Sequence, residues 1–179
     1  ENWVHFVRKL YDTTPEVNIW ISGSNSALIK QEYKTLLSGR NISLTIHPLS
    51  FLEFLKFNEL TEVKLPLSSQ KESKVIGLFE HYLSWGAFPV IAKRKFYHKE
   101  LLINYFEDII YKDIVNRYDV DVGKVKDLAV YLATNSAKNF SYRWVANALN
   151  MHPKTVTEYL SYFKEVFLFS ECYRLDYSL

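Results

Sequence analysis

The sequence predicts a mainly α chain with a partial α/β portion near its start and a winged helix-turn-helix at its end. Three observations predict this. Apolar residues recur at helical spacing over most of the chain. Two short β-branched runs alternate with helices in the first third. The last third reads helix, helix, tight turn, helix, hairpin. The five glycines and five prolines among 179 residues argue against a loop-rich or all-β fold.

Each element follows from its residues. Trp3, Phe6, Val7, Leu10 and Tyr11 share one helical face, which needs something to pack on. The chain starts at Glu1 without Met and inside this helix, as expected of a piece of a longer protein. Residues 17–22 are short, apolar and β-branched, as in a buried strand. Residues 24–37 read as helix, stopped by Gly39. Ile42, Leu44 and Ile46 alternate as a second strand ending at Pro48. Ser50 and Glu53 have the spacing of a capping box, opening a helix through Phe54 and Leu55. This rhythm belongs to a parallel α/β sheet, but two strands are too few to stabilise one.

Residues 58–72 are polar and mixed and read as a linker. Val75, Ile76, Phe79, Tyr82 and Leu83 form the next helical face, broken by "WGAFP" at Gly86 and Pro89. A long helix over roughly 97–117 carries Leu101, Leu102, Tyr105, Ile109 and Ile110, and "DVDVG" interrupts it. Val125, Leu128, Ala129, Leu132 and Ala133 mark the following helix. Ser141 can cap another with Trp144, Val145, Ala148 and Leu149, and Pro153 opens a third as its N1 residue, burying Val156, Tyr159, Leu160 and Phe163. "FLFSECYRL" reads as hairpin. The domains expected are 1–58, a partial α/β domain; 70–120, a helical region; and 121–179, the winged helix.

Composition narrows the function classes. A hydrophobic fraction of 48% can bury a core. A net charge of +2 and a pI near 8.5 permit nucleic-acid binding without requiring it. Cys172 is the lone cysteine, so no intramolecular disulfide can form and a reducing, cytoplasmic setting is expected. No apolar run approaches the ~20 residues of a membrane helix, so no membrane partner is expected. His5, His47, His81, His98 and His152 are dispersed, and no metal-ligand spacing appears.

"NIWISGSNSAL" runs from apolar residues into small polar ones around Gly23, the way a phosphate-binding loop begins. With its neighbours it resembles the archaeal and bacterial AAA-type ATPases of the DUF4143 class, relatives of the STAND-like P-loop NTPases. The likeness rests on Ser22-Gly23-Ser24-Asn25-Ser26, Leu37-Ser38-Gly39-Arg40, Pro48-Leu49-Ser50-Phe51-Leu52-Glu53, "YLSWGAFP", "INYFEDIIYKDIVNR" and "FSYRWVANALNMHPKTVTEYLSYFKEVFLF". These motifs come in family order over nearly the whole chain. Ala87 replaces the family's second glycine. Neither a Walker A loop nor a Walker B acidic pair occurs in the sequence, and Asn2-Trp3 matches the family just past Walker B. The resemblance therefore implies the C-terminal part of a P-loop NTPase core, then a helical lid and a winged helix. It implies ATP and Mg2+ as cofactors of the intact family protein; neither is expected to bind this chain tightly, nor should the chain hydrolyse ATP alone.

The same resemblance assigns candidate residues. Ser24 and Asn25 would be the polar sensor that touches the γ-phosphate or orients the water; both also suit an N-cap. Arg40 would be a trans-acting arginine finger, or a cation near a helix C-terminus. Gly86 and Pro89 resemble an element lying against adenine, and equally make a plain helix break. Arg117 reads as an ion-pair partner of Asp113, four residues earlier. The third helix of the C-terminal unit would present Lys154, Thr155 and Thr157, flanked by Arg143 and His152, to phosphates and bases. Glu158, Glu165 and Glu171 dilute that face, so a protein-binding or lid role stays open. Partners open at this point are DNA, a second copy, or an NTPase segment N-terminal to this chain.

Overall fold

A computed structural model describes residues 3–14, 16–24, 42–61, 68–93 and 96–173. These are mainly helical, 65% helix, with no strand among them. In chain order the helices are α1 (Trp3–Thr13), α2 (Phe51–Phe57), α3 (Ser69–Trp85), α4 (Pro89–Lys93), α5 (His98–Asp108), a π-helical segment (Ile109–Val115), α6 (Asn116–Tyr118), α7 (Val122–Thr134), α8 (Tyr142–Ala148) and α9 (Pro153–Glu165). They fall into two compact units, residues 42–105 and residues 1–41 with 106–179.

In the unit Ile42–Tyr105, the expected capping box is complete. Ser50 Oγ accepts from the Glu53 N–H at 3.3 Å, and Glu53 Oε2 accepts from the Ser50 N–H at 2.8 Å. The Ser50 hydroxyl, 2.7 Å away, and then that backbone contact hold the Glu53 carboxyl below its usual range. The cap sets the direction of α2, which buries Phe54 and Leu55. Phe54 packs with Ala87 and Ala92, and around them sit Leu49, Phe51, Leu78 and Tyr82. Tyr82 meets Phe51 and Phe54 edge-on at 5.3 and 5.4 Å, the favoured aromatic geometry.

In the other unit, Ile110, Ile114, Val125, Leu128, Val145, Val156, Leu160 and Phe163 are fully or almost fully buried in one core. α7 packs on the π segment, and α8 on α9. Asp119, in the left-handed region at φ 50, turns the chain out of α6, and Asp121 caps α7 by accepting from the Lys124 N–H at 2.8 Å. "DVDVG" interrupts the helix through these two aspartates. Pro153 opens α9, as its fixed φ and missing N–H favour.

Three helices end in the same way without glycine. After α2, α8 and α9, the left-handed position is held by Glu59, Asn150 and Phe167, with φ of 64, 50 and 58. The next N–H reaches back five residues in each: Leu60 to the Leu55 carbonyl at 2.9 Å, Met151 to Ala146 at 2.8 Å, and Leu168 to Phe163 at 2.9 Å. This is the Schellman arrangement, which satisfies helix-end carbonyls and stacks an apolar residue on the last turn.

Several expectations change. Residues 17–22 and 42–46 pair in no strand among the described residues, and neither do 167–173. Strand geometry persists only when neighbouring strands take up its N–H and C=O groups, and no such neighbour occurs among the described residues. Trp20, Ile42 and Ile46 are accordingly 87%, 91% and 93% exposed. On α1 only Val4 is buried, while Phe6 and Tyr11 of the expected apolar face are exposed. The long helix over 97–117 is present but contains the π segment. Arg117 lies over the Tyr118 ring at 5.8 Å instead of pairing with Asp113, whose carboxylate is used elsewhere. The expected helix over 24–37, its stop at Gly39, and residues 174 and 175 of the expected hairpin lie outside the described residues.

Candidate functional site

Ser24 stands at the end of the "ISGS" run, and its hydroxyl donates to Asp113 Oδ1 at 3.0 Å. Asp113 comes from the π segment, where each i to i+5 hydrogen bond closes a ring one residue longer than in an α-helix and so widens the turn. Such segments often sit at functional sites. Ile110 and Ile114, on either side of Asp113 in sequence, are wholly buried in the core. Asp113 is therefore carried on a well-anchored backbone, with its half-buried carboxylate aimed at Ser24. Sequence spacing could not reveal this pair, because 89 residues separate its members. Asn25 and Arg40 lie outside the described residues.

Gly86 ends α3 at φ 75, and its N–H still bonds to the Tyr82 carbonyl at 2.9 Å. A side chain there would meet no atom within 4 Å, so this backbone angle, not crowding, is what favours glycine. Pro89 is the first residue of α4. Between them the Ala87 carbonyl accepts from the Leu49 N–H at 2.9 Å, which draws the break into the core of its unit. Beside it, the rings of His81 and His98 meet edge-on at 5.1 Å, with Phe54 and Trp85 against them. His81 Nδ1 is buried with no hydrogen-bond partner. Burial, then the neighbouring His98, pushes the His81 pKa down from its usual value. Nothing in the sequence spacing signalled this pair.

In the C-terminal helices, His152 is the N-cap of α9, and its Nδ1 accepts from the Lys154 N–H at 3.2 Å. That nitrogen is thus committed to the helix end. Lys154, Thr157 and Arg143 are exposed, and Thr155 is half-buried. Thr157 returns its hydroxyl to the Pro153 carbonyl at 3.1 Å. Lys164 is held by Glu171 at 3.0 Å. Glu171 also accepts from Tyr142 at 2.7 Å and Tyr173 at 3.0 Å, and these bonds hold its pKa low. The same bond, aided by burial, pushes the Tyr142 phenol up to about 12. Tyr118 and Tyr162 stack at 3.8 Å; burial and a bond to Glu158 push Tyr162 up to about 12.

Among the described residues no group of three or more His, Cys, Asp or Glu could hold a metal ion. No helix among them is long and apolar enough to cross a membrane. Ser24 offers one exposed hydroxyl, but the sequence has no glycine-rich loop ending in Lys-Ser/Thr. Ser24 alone does not make the grip on phosphate that such a loop provides.

A match of residues 1–55 to the family model described as AAA domain supports an AAA-type ATPase affiliation. Residues 76–179, more than half of the chain, match the model described as Domain of unknown function (DUF8612), and the chain belongs to that family. It is similar to the uncharacterized protein MJ1544 of Methanocaldococcus jannaschii, 33% identical over 94% of this chain and 39% of the relative. An uncharacterized protein of Haemophilus influenzae is 29% identical over 98% of this chain and 44% of its own. The chain thus spans less than half the length of these curated relatives. No solved structure gives a significant match.

Proposed function

We propose that this chain is a portion of an AAA-type, ATP-driven switch protein of the P-loop class, related to the DUF4143 and STAND-like NTPases. In this reading residues 1–58 supply the sensor edge of a nucleotide domain, 70–120 a lid, and 121–179 a winged helix. The observation that carries it is the AAA domain match over the residues that present Ser24. Asn25 would share the sensor role, Arg40 would face a neighbouring subunit's phosphates, and Gly86 and Pro89 would lie near adenine. ATP and Mg2+ are held chiefly by residues outside this chain. The test compares ATP hydrolysis by the intact protein with hydrolysis by this chain alone. Turnover in the intact protein only is the expected result; no turnover and no nucleotide binding by the intact protein refutes the reading.

A second reading rests on α8, the turn at Asn150 and α9, which form a helix-turn-helix pair with Lys154, Thr157 and Arg143 exposed. It makes the C-terminal unit a duplex-DNA binder. Binding should strengthen as salt falls, because phosphate contacts release counterions. Absence of binding at low salt, or equal binding by an Arg143→Ala, Lys154→Ala variant, refutes it.

A further inference from the structure

We propose that Asp113 is a positioning residue for Ser24, and that it fixes which kind of hydrogen bond Ser24 can offer a ligand. The inference rests on the reading above, in which Ser24 borders a nucleotide site. A serine hydroxyl has one proton to donate and two lone pairs to accept with. An ionised carboxylate only accepts. At 3.0 Å, the Ser24–Asp113 contact therefore uses the single proton that Ser24 owns. Towards any further group Ser24 is an acceptor. It can hold a water or another N–H or O–H donor, and it cannot donate to a phosphate oxygen while the bond stands. Of the two sensor roles open from the sequence, contact with the γ-phosphate is thereby disfavoured.

The scaffold supports a directed contact. Asp113 has no cation partner among the described residues: Arg117 lies over Tyr118, and Lys112 pairs with Asp108 at 2.8 Å. With Ile110 and Ile114 fully buried on either side, the backbone under Asp113 is anchored in the core shared by α7, α8 and α9. A change at Ser24 thus has a hydrogen-bonded route to the helical unit that carries the DUF8612 match.

The test is a double-mutant cycle in the intact protein, reading Mg2+-dependent affinity for a fluorescently labelled ATP alongside steady-state hydrolysis. Ser24→Ala should leave nucleotide affinity within about threefold, since no phosphate bond is lost, and lower kcat more than tenfold with KM within about twofold. Asp113→Ala frees the Ser24 proton; it should tighten nucleotide binding severalfold and lower kcat similarly. In the Ser24→Ala background, Asp113→Ala should change neither quantity by more than about twofold. Near-UV circular dichroism of each variant checks folding, and Asp113→Leu, close in shape and without an acceptor, replaces Asp113→Ala if that variant unfolds. A tenfold loss of affinity in Ser24→Ala overturns the proposal, since Ser24 would then donate to phosphate. So does an Asp113→Ala effect of equal size in both backgrounds, which would be charge alone. Failure of the wild-type protein to bind ATP overturns the nucleotide reading and this proposal with it, a result distinct from the other two.

Discussion

Phe163→Ala should loosen the C-terminal unit more than any surface change in it. Phe163 is 0% exposed, in one core with Leu128, Val145, Val156 and Leu160, and its ring meets Phe169 edge-on at 5.5 Å. Removing a fully buried phenyl loses the transfer energy of the ring and leaves a cavity that close-packed neighbours fill only in part. The cost is about 3–5 kcal/mol, against a domain stability of about 5–15 kcal/mol. At about 1.4 kcal/mol per tenfold, the opening equilibrium rises by roughly two to three and a half powers of ten. Hydrogen exchange on amides of α7 and α9 reads this directly. Protection there should fall by that factor, while α2 and α3, in the other unit, keep theirs. A loss below tenfold would falsify the claim that Phe163 is a keystone of this core.

Three further outcomes follow from the same structure. Phe167→Gly should stabilise the end of α9 by about 1 kcal/mol, because a non-glycine residue in the left-handed region carries a cost of about 1–2 kcal/mol; unchanged or lower thermal stability contradicts this. The depressed pKa of His81 means that the unfolded chain binds the proton first. Stability of the unit Ile42–Tyr105 is then full above the ordinary value of 6.5 and declines as pH falls below it. His81→Gln should flatten exchange of α3 between pH 7.5 and 5, and an unchanged slope refutes the assignment. Replacing Ile42, Leu44 and Ile46 by serine should reduce self-association of this chain in light scattering, since all three are exposed; equal scattering shows that this run is not the adhesive surface.

Much of the helical architecture was legible because it is written in local chemistry. The capping box at Ser50 and Glu53, the stop at Gly86 and the proline opening of α9 each act within a few residues. The buried set Val156, Tyr159, Leu160 and Phe163 followed from helical spacing alone. The helix ends at Glu59, Asn150 and Phe167 were not legible, since left-handed caps usually announce themselves with glycine and these do not. Strand readings over 17–22 and 42–46 measured β-propensity, which depends on neighbours that sequence windows ignore. Of the candidate site, Ser24 was readable from its place after an apolar run. Its partner was not, because Asp113 lies 89 residues away and the expected i+4 pairing with Arg117 pointed elsewhere.

The π segment Ile109–Val115 also bears on how this chain can vary. Adding a residue to a purely α-helical stretch rotates everything beyond it by about 100°, which would swing α7, α8 and α9 as a block. A wider turn takes up the addition where it occurs and leaves the exit direction intact. Among relatives, one-residue gaps should therefore cluster within 109–115. Helices on both sides of such a gap would keep their buried faces, and the side chain at the position of Asp113 would lose its aim.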